Sequence, residues 1–183
     1  MNRIFLRALE PDDYVLISEW RHDEEITSSL GGNHYFVSAA REKQWVVDKS
    51  TGDNRHIYLA ICLLEDSRMI GYTSMNNIDL RNLKIEWGGT IIGDKSLWGK
   101  GYASEAAKLM LAYIFTQYPV HKCYGYCLQE HVVTEKMFVS LGFHLDGVLR
   151  DEVFKNGEFK PMLAFSMLRN EYIAKYGTTV KAL

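Results

Sequence analysis

The sequence contains few cysteines and no long apolar run, and both features limit the classes of protein to which it can belong. Its 3 cysteines, Cys62, Cys123 and Cys127, are an odd number without metal-ligand spacing, and each lies in an apolar segment. Buried thiols in a reducing cytoplasm are therefore expected. No apolar run approaches the length of a membrane span, and residues 1–7 lack the apolar core of a signal peptide. The sequence thus predicts a cytoplasmic protein without a membrane partner.

An excess of charge of either sign is also absent. The formal net charge is −2 and the sequence pI is about 6.3, so the chain offers no basic field to a nucleic acid. Apart from His131, the histidines are scattered without a ligand spacing, which predicts no metal site. They are His22, His34, His56, His121 and His144.

What the sequence does contain is the composition of an ordinary globular domain, with 47% hydrophobic and 24% charged residues. No repeat, low-complexity tract or linker divides it, so residues 1–183 are expected to form a single domain. Residue patterning predicts strands over residues 3–9, 56–64, 69–77, 84–92, 122–128, 143–153 and 162–168, the last two joined by a turn at Asn156-Gly157. It predicts helices that begin at Pro11, after Ser38, at Gly101 and at Val132. This order predicts a mixed sheet with helices on its faces.

The most informative segment lies just before and at the start of the helix that begins at Gly101. Its residues are Trp98-Gly99-Lys100-Gly101-Tyr102-Ala103. Glycines let backbone N–H groups approach a ligand closely, and the start of a helix adds unpaired N–H groups and a positive dipole end. Together they suit a pyrophosphate, and Lys100 adds a positive charge. The spacing matches neither the Walker nor the dinucleotide pattern, and a plain turn is the alternative interpretation.

This segment resembles the acetyl-CoA loop of the GNAT superfamily of N-acetyltransferases, Gln/Arg-x-x-Gly-x-Gly/Ala. Gly101 and Ala103 stand in the last two fixed places, and Trp98 stands where the family has Gln or Arg. The form Trp-Gly-x-Gly-Tyr-Ala is similar to the RimJ/RimL-type branch, which contains ribosomal-protein N-terminal and nucleotide-sugar amine acetyltransferases. The resemblance covers residues 3–172, because further matching segments are Trp20-Arg21, Leu141-Gly142-Phe143 and Asn170-Glu171-Tyr172.

The resemblance implies the GNAT acyl-CoA N-acyltransferase fold, an α/β (α+β) architecture with a mixed, mostly antiparallel central sheet flanked by helices. It implies an N-acetyltransferase in which a primary amine attacks the thioester of acetyl-CoA directly, within a ternary complex. A homodimer follows only by analogy with relatives. The implied cofactor-binding residues are Thr90, Ile91 and Ile92 through their backbone, the loop residues Trp98, Gly99, Lys100, Gly101, Tyr102 and Ala103, and His131.

Direct transfer requires a base that accepts a proton from the ammonium form of the amine. Glu86 is the candidate, because the branch often carries a glutamate that faces the acceptor cleft in this strand. Alternation along the strand puts Ile85 and Trp87 on one face and Glu86 with Gly88 on the other. The alternative is a solvated polar position on a half-exposed strand.

At the position of the acid that protonates the leaving thiolate, this sequence differs from the common family pattern. Many GNAT enzymes have a tyrosine four residues before the glycine of Leu-Gly-Phe, and here this position is Phe138, which has no proton to donate. The RimJ/RimL-type branch instead has Asn-x-x-Ser at the start of this helix, and the matching residues are His131 and Thr134. Thr134 is the catalytic candidate and His131 the cofactor-binding one, although both also suit a first helical turn. A thiol is a tolerable leaving group without an enzymatic acid.

The acceptor stays open among a protein N-terminal amine, a nucleotide-sugar amine and a polyamine. An acidic rim near the N-terminus would attract a cationic amine, but a solvated helix face is the favoured interpretation of these residues. Its residues are Glu10, Asp12, Asp13, Glu19, Asp23, Glu24 and Glu25. Two other functions compete with the enzyme. A catalytically inactive acyl-CoA-binding module is suggested by Trp98, His131 and Phe138, and a plain interaction domain would use the glycine loop only as a turn.

Overall fold

The computed structural model describes residues 2–28, 30–32, 36–52 and 55–177. Within them, seven strands form one sheet: β1 (Ile4–Ala8), β2 (Ile57–Leu63), β3 (Met69–Asp79), β4 (Lys84–Ile92), β5 (Lys122–Leu128), β6 (His144–Lys155) and β7 (Glu158–Leu168). The helices are α1 (Tyr14–His22), α2 (Glu24–Thr27), α3 (Ala39–Ser50), α4 (Tyr102–Gln117), α5 (Val132–Leu141) and α6 (Arg169–Tyr176). Short 3-10 turns, Pro11–Asp13 and Lys95–Leu97, precede α1 and α4.

The strands lie in the order β1-β2-β3-β4-β5-β7-β6. The strands β2, β3 and β4 form an antiparallel meander, and β1 pairs antiparallel with β2 at the outer edge. The hairpin of β6 and β7 places β7 antiparallel to β5. Among the described strands, only β4 and β5 pair in parallel, and the connection between them contains α4. The predicted fold class, a mixed and mostly antiparallel sheet flanked by helices, is confirmed.

Helices cover both faces of this sheet. On one face, α4, α5 and α6 pack around a core that includes Trp87, Phe138 and Phe165. On the other face, α1 and α3 pack against β2 and β3 around Ile17 and Val46. Apolar residues recur at helical spacing in α4 and alternate along the strands, so each element has an apolar side to bury.

Two short helices, α2 and α6, are absent from the predicted pattern. Asp23 begins α2, because its carboxylate accepts the backbone N–H groups of Glu25 and Ile26. Glu171 stabilises the start of α6 by accepting the backbone N–H of Leu168 at 2.8 Å. Both helices are too short for an apolar period to indicate them, and the capping side chains are their main local signal.

The hairpin of β6 and β7 is longer than its predicted strands. Asn156 and Gly157 have φ values of 52° and 84°, the left-handed conformation of a two-residue hairpin turn, so the predicted turn is confirmed. Such a turn lets strand pairing continue to its edge, and Lys155 pairs directly with Glu158. The last residues of β6 therefore occupy fixed positions in the sheet.

The described part of the chain contains no helix that is long and apolar enough to cross a membrane. It also contains no group of three or more His, Cys, Asp or Glu side chains that could hold a metal ion. His34 lies outside the described residues. The thiols of Cys62, Cys123 and Cys127 are free and buried, as the apolar character of their segments predicts.

Gly93, directly after β4, is required by the packing of Trp20. A β-carbon at residue 93 would lie 2.0 Å from the indole ring, and that ring is buried and stacked on Tyr72 with 6.5 Å between centroids. We expect Gly93→Ala to lower the free energy of unfolding by about 1–3 kcal/mol, because the added methyl group displaces the indole. Urea denaturation measures this loss.

The matched control is Gly147→Ala in β6, where a β-carbon would meet no atom within 4 Å. We expect it to change the free energy of unfolding by no more than about 0.5 kcal/mol. Equal losses in the two variants would contradict the packing explanation.

Candidate active site

A cleft of about 350 Å³ opens where β4 separates from β5, hereafter the β4–β5 cleft. The two strands pair only between Lys84–Glu86 and Lys122–Tyr124 and then diverge. Residues of β3, β4, β5 and α5 line the cleft, and residues 30–32 form part of its wall. The unpaired edge of β4 and the start of α5 are therefore brought to one space.

The strand β4 carries a bulge where the cleft begins. Up to this point it follows the predicted alternation, with Ile85 and Trp87 buried in the core. Gly88 is then an extra residue that has no partner in the register of β3. A β-carbon at Gly88 would lie 2.1 Å from the amide nitrogen of Asn76 and 2.4 Å from the hydroxyl of Ser74. Only glycine fits this position beside the cleft.

Glu86 lies next to this bulge, at the last residue pair that β4 shares with β5. Its Oε2 accepts a hydrogen bond from Asn77 Nδ2 at 2.6 Å. Burial and then the negative charge of Glu86 raise the pKa of Tyr124 to about 12, and the same two causes raise the pKa of Tyr126. Tyr126 lines the cleft, whereas Glu86 does not, so the carboxylate lies beside the cleft rather than in its wall.

His131 and Thr134 both line the cleft, at the start of α5. Thr134 Oγ1 lies 2.7 Å from His131 Nδ1, and the imidazole tautomer decides which of the two donates. Burial, followed by the positive charge of Lys155, lowers the pKa of His131 from its ordinary value of 6.5. The imidazole is therefore neutral at pH 7. The two residues singled out in the sequence form one hydrogen-bonded pair.

Phe138 and Trp87 form the apolar part of the cleft lining. Phe138 is 2% exposed, and its ring packs against Trp87 with 5.0 Å between centroids and against Phe165 with 4.6 Å. Among the described residues, Trp87 Nε1 is the only buried side-chain nitrogen or oxygen without a hydrogen-bond partner. This nitrogen is buried, so it is not available to a ligand in the cleft.

The glycine segment lies beyond the end of β4, at the start of α4. Gly99 and Gly101 have φ values of 72° and 84°, which glycine adopts without strain. Gly101 is the N-cap of α4 and no side chain caps this helix, so its first N–H groups are available to an anion. A β-carbon at Gly99 would meet no atom within 4 Å, so the space beside it is open. This local geometry suits a pyrophosphate.

Arg3, near the N-terminus, holds the glycine segment in place. Its guanidinium donates to the carbonyl of Lys100 at 3.0 Å and pairs with Glu105 at 2.8 Å, and it lies 4.1 Å from the ring centroid of Tyr102. Ala103 packs against an apolar cluster at the start of α4. The side chain of Lys100 is exposed beside this positive centre.

Trp98 connects the same segment to β4. Its Nε1 donates to the backbone carbonyl of Ile92 at 2.7 Å. Thr90 and Ile91 line the cleft, and Thr90 Oγ1 lies 2.9 Å from Thr73 Oγ1. The glycine segment is thus fastened to the end of β4, the strand whose residues Thr90 and Ile91 line the cleft.

The charge of the cleft differs from the acidic rim suggested by the sequence. No carboxylate is among the described residues that line the cleft, and its permanently charged lining residue is Arg21. The guanidinium of Arg21 pairs with Glu42 at 3.0 Å and lies 3.8 Å from the ring centroid of Trp45. Arg21 also donates to Tyr72 Oη at 3.3 Å, which holds it against the cleft wall.

The acidic residues near the N-terminus lie elsewhere. Asp13 pairs with Arg7 at 2.7 Å, and Lys95 bridges Asp23 at 2.7 Å and Glu25 at 2.8 Å. None of the seven acids named above lines the cleft. Their number in the sequence is therefore no guide to the acceptor.

Arg3, Tyr126 and Cys127 are among the residues of the site region that were not found from the sequence. Tyr126 and Cys127 line the cleft from β5, and burial raises the pKa of the Cys127 thiol to about 11. None of the three lies in a motif, and each reaches the site only through long-range strand pairing. A single sequence offers no signal for them.

The sequence and the fold match a known family. The model of the acetyltransferase (GNAT) domain matches residues 3–144. The chain belongs to this family. It is an acetyl-CoA-dependent N-acetyltransferase, as its relatives and structural neighbours are.

Its relatives include enzymes of different acceptors. The spermidine N(1)-acetyltransferase of Escherichia coli is 32% identical over 179 residues, which are 97% of this chain and 92% of that protein. An uncharacterized N-acetyltransferase, p20 of Bacillus licheniformis, is 28% identical over 171 residues, 93% of this chain and 95% of its own. The crystal structure of spermidine N-acetyltransferase from Vibrio cholerae in complex with CoA and spermine has a TM-score of 0.84 and 25% identity, covering 93% of this chain and 98% of that chain. These relatives support GNAT membership and not specifically the RimJ/RimL-type branch.

The lowered pKa of His131 has a consequence for stability. The unfolded chain titrates near the ordinary value of 6.5, so the contribution of the buried neutral imidazole is present above pH 6.5 and is lost as the pH falls through the lower folded-state pKa. We expect an NMR titration of the ring to give a pKa below 6.5, and His131→Asn to lose less unfolding free energy than the wild type between pH 7 and pH 5. A ring pKa at or above 6.5 would contradict the burial described here.

Proposed function

We propose that this chain transfers the acetyl group of acetyl-CoA to a primary amine whose carrier bears no further positive charge. The observation that carries this acceptor class is the lining of the β4–β5 cleft, where the described residues include Arg21 and no carboxylate. A second ammonium group in the cleft would be desolvated without a counter-ion, which is costly. A peptide α-amine and the amine of a nucleotide sugar fit this lining, as the RimJ/RimL-type resemblance also suggests.

In this proposal, Glu86 accepts the proton of the acceptor ammonium, directly or through one water. Its support is the position of the carboxylate beside the cleft and its hydrogen bond from Asn77, which keeps one oxygen in place. Tyr126 lines the cleft, and the negative charge of Glu86 contributes to its raised pKa. Its hydroxyl is therefore proposed as a further polar group on the proton path. General-base catalysis of this kind accounts for a rate factor of about 10²–10⁴.

Thr134 is the proposed proton relay to the departing thiolate: its Oγ1 accepts a proton from the ammonium formed by amine attack as its own O–H is given to the sulfur, so no alkoxide is left. Its support is the 2.7 Å hydrogen bond to His131 Nδ1 and the presence of both side chains in the cleft lining. When the neutral imidazole carries its proton on Nδ1, it donates to Thr134 Oγ1, and the threonine O–H is free to point into the cleft. Phe138 fills the position of the tyrosine in many relatives, so the acid function is proposed to lie one turn earlier on the same face of α5, at Thr134.

Acetyl-CoA supplies the acetyl thioester, and two stretches of the chain are proposed to hold it. The loop from Trp98 to Ala103 would bind the pyrophosphate through the backbone N–H groups after Gly99 and Gly101, with the charge of Arg3 nearby. Thr90, Ile91 and Ile92 would hold the pantetheine arm through their backbone, with His131 contacting it from α5. The open space beside Gly99 supports this arrangement.

A polyamine is the second candidate acceptor. It is favoured by the similarity to the spermidine N(1)-acetyltransferase of Escherichia coli over 97% of this chain. It is disfavoured by the connection between α2 and α3, because residues 26–41 contain no aspartate or glutamate. An inactive acyl-CoA-binding module is the remaining alternative, and the paired His131 and Thr134 argue against it.

Titration calorimetry with acetyl-CoA, followed by an amine panel, tests the proposed function. The panel contains a trialanine peptide, a nucleoside-diphosphate amino sugar, spermidine and spermine, and thiol release is measured with the mass of the acetylated product. We expect one-to-one binding of acetyl-CoA, and a kcat/KM for a singly charged amine that exceeds that for spermidine by about tenfold or more.

Each other outcome has a definite meaning. A preference for spermidine would replace the proposed acceptor class by the polyamine. Binding of acetyl-CoA without transfer to any amine would favour the inactive module, and no binding by folded protein would exclude both.

Glu86→Gln separates a base from a merely structural carboxylate. We expect kcat/KM to fall by about 10²–10⁴ at pH 7, because the glutamine amide cannot accept the ammonium proton. The loss should shrink steeply at alkaline pH, where free amine is already abundant. The matched control, Glu65→Gln in the exposed turn after β2, is expected to keep the wild-type pH–rate profile. A Glu86→Gln enzyme with full turnover at pH 7 would remove Glu86 from the mechanism.

The cytoplasmic location is a prediction from the sequence, and the homodimer is a prediction by analogy with relatives. Size-exclusion chromatography with light scattering measures the second.

A further inference from the structure

The last residue of β6, Lys155, is a buried cation with an unusual set of partners. Its side chain is 4% exposed, and its Nζ donates to the backbone carbonyls of Thr27 at 3.2 Å, of Gly32 at 3.0 Å and of Leu30. No carboxylate of the described residues forms a salt bridge with it. All three donor positions of the ammonium group are thus used on one short segment of backbone.

A buried ammonium without a carboxylate is expensive, so the arrangement needs a reason. Burial lowers the pKa of Lys155, and the negative charge of Glu130 only partly opposes this. Lys155 donates to the carbonyls of Leu30 and Gly32, which follow α2, and to that of Thr27 at its end, which also accepts the backbone N–H of Leu30 at 3.1 Å. The hairpin end and the segment after α2 are therefore coupled through one side chain, across more than a hundred residues of sequence.

The segment that Lys155 holds is also a wall of the active site. Leu30, Gly31 and Gly32 line the β4–β5 cleft. A β-carbon at Gly31 would lie 3.1 Å from the Met162 methyl group, so the segment rests closely on β7. Residues 27, 28 and 30–32, hereafter the 27–32 loop, lie between the cleft and Lys155.

The hairpin gives Lys155 a fixed position from which to hold the loop. Asn156 and Gly157 close a two-residue turn, and Lys155 pairs with Glu158 in the last register position before it. The ammonium therefore projects from a rigid strand end rather than from a loose connection.

We propose that Lys155 is a positioning residue that holds the 27–32 loop as the acceptor-side wall of the cleft. This inference rests on the proposed function, since it assigns the wall to acceptor binding. The acetyl-CoA segment lies apart from it, at the start of α4, where Arg3 and Trp98 hold it independently. Loss of Lys155 should thus weaken the binding of the acceptor and leave the binding of acetyl-CoA nearly unchanged.

The experiment compares Lys155→Met, which keeps the length of the side chain without its charge, with Lys155→Arg. We expect Lys155→Met to raise the acceptor KM by about tenfold or more, because hydrogen bonds from a charged group to the loop are lost. The KM for acetyl-CoA should stay within about twofold, because its proposed contacts with the glycine segment and with β4 do not involve the 27–32 loop, and Lys155 acts on His131 only through its charge. Lys155→Arg retains a cation that donates to carbonyls, and its acceptor KM should lie nearer to the wild type.

The matched control is Lys160→Met, which removes a lysine from the same hairpin. Lys160 pairs with Glu158 at 2.8 Å and with Glu130 at 3.5 Å, and it does not contact the loop. Its acceptor KM is expected to equal that of the wild type. Equal rises in the acceptor KM for Lys155→Met and Lys160→Met, or a parallel rise in the acetyl-CoA KM, would overturn the proposal.

Hydrogen exchange of the intact protein supplies a readout that does not need activity. We expect amide exchange in the 27–32 loop to accelerate in Lys155→Met and not in Lys160→Met. Unchanged exchange would overturn the proposal even if the enzyme is active. If the wild type acetylates no amine, the proposed function fails, and the exchange result together with calorimetric acetyl-CoA affinity still decides whether Lys155 holds this loop.

Discussion

The parting of β4 from β5 after three residue pairs is the constraint on which the whole site depends. Two glycines permit it. Gly88 makes room for the side chains of β3, and a β-carbon at Gly125 would lie only 3.0 Å from the Phe138 ring and 3.1 Å from the carbonyl of Trp87. The strands therefore stay in contact over an aromatic floor and open beyond it. Both proposed substrates need the exposed edge of β4 that this opening leaves.

Features fixed by neighbouring residues could be predicted from the sequence. The strands of the meander, the glycine segment and the hairpin turn at Asn156-Gly157 depend on local patterning and on backbone angles that few residues adopt. The contacts that complete the site could not be predicted in this way. Arg3 reaches Glu105, and Lys155 reaches the carbonyl of Gly32, across sequence separations of 102 and 123. Such pairs follow from the strand order, which one sequence does not encode in any short segment.

The charge of the cleft lining also could not be predicted from the sequence. The acidic residues near the N-terminus suggest an attraction for cationic amines, but composition does not reveal which carboxylates already have partners. Asp13 is paired with Arg7 and Asp23 with Lys95, so these carboxylates already have cationic partners and give no indication of the acceptor. The relevant charge is that of the cleft lining, where Arg21 is held by Glu42. Acceptor choice in this family is therefore better inferred from the positions of charges than from their number.

The glycine segment is fastened at two points, where Trp98 donates to the carbonyl of Ile92 and where Arg3 donates to the carbonyl of Lys100. A free glycine-rich loop loses much conformational entropy when it closes on a ligand, and that loss weakens binding. Here most of that loss has already occurred during folding, before any ligand arrives. The affinity of the proposed cofactor site for the nucleotide part of acetyl-CoA is thus expected to depend on the integrity of the fold, and mild denaturation is expected to weaken it before the sheet itself unfolds.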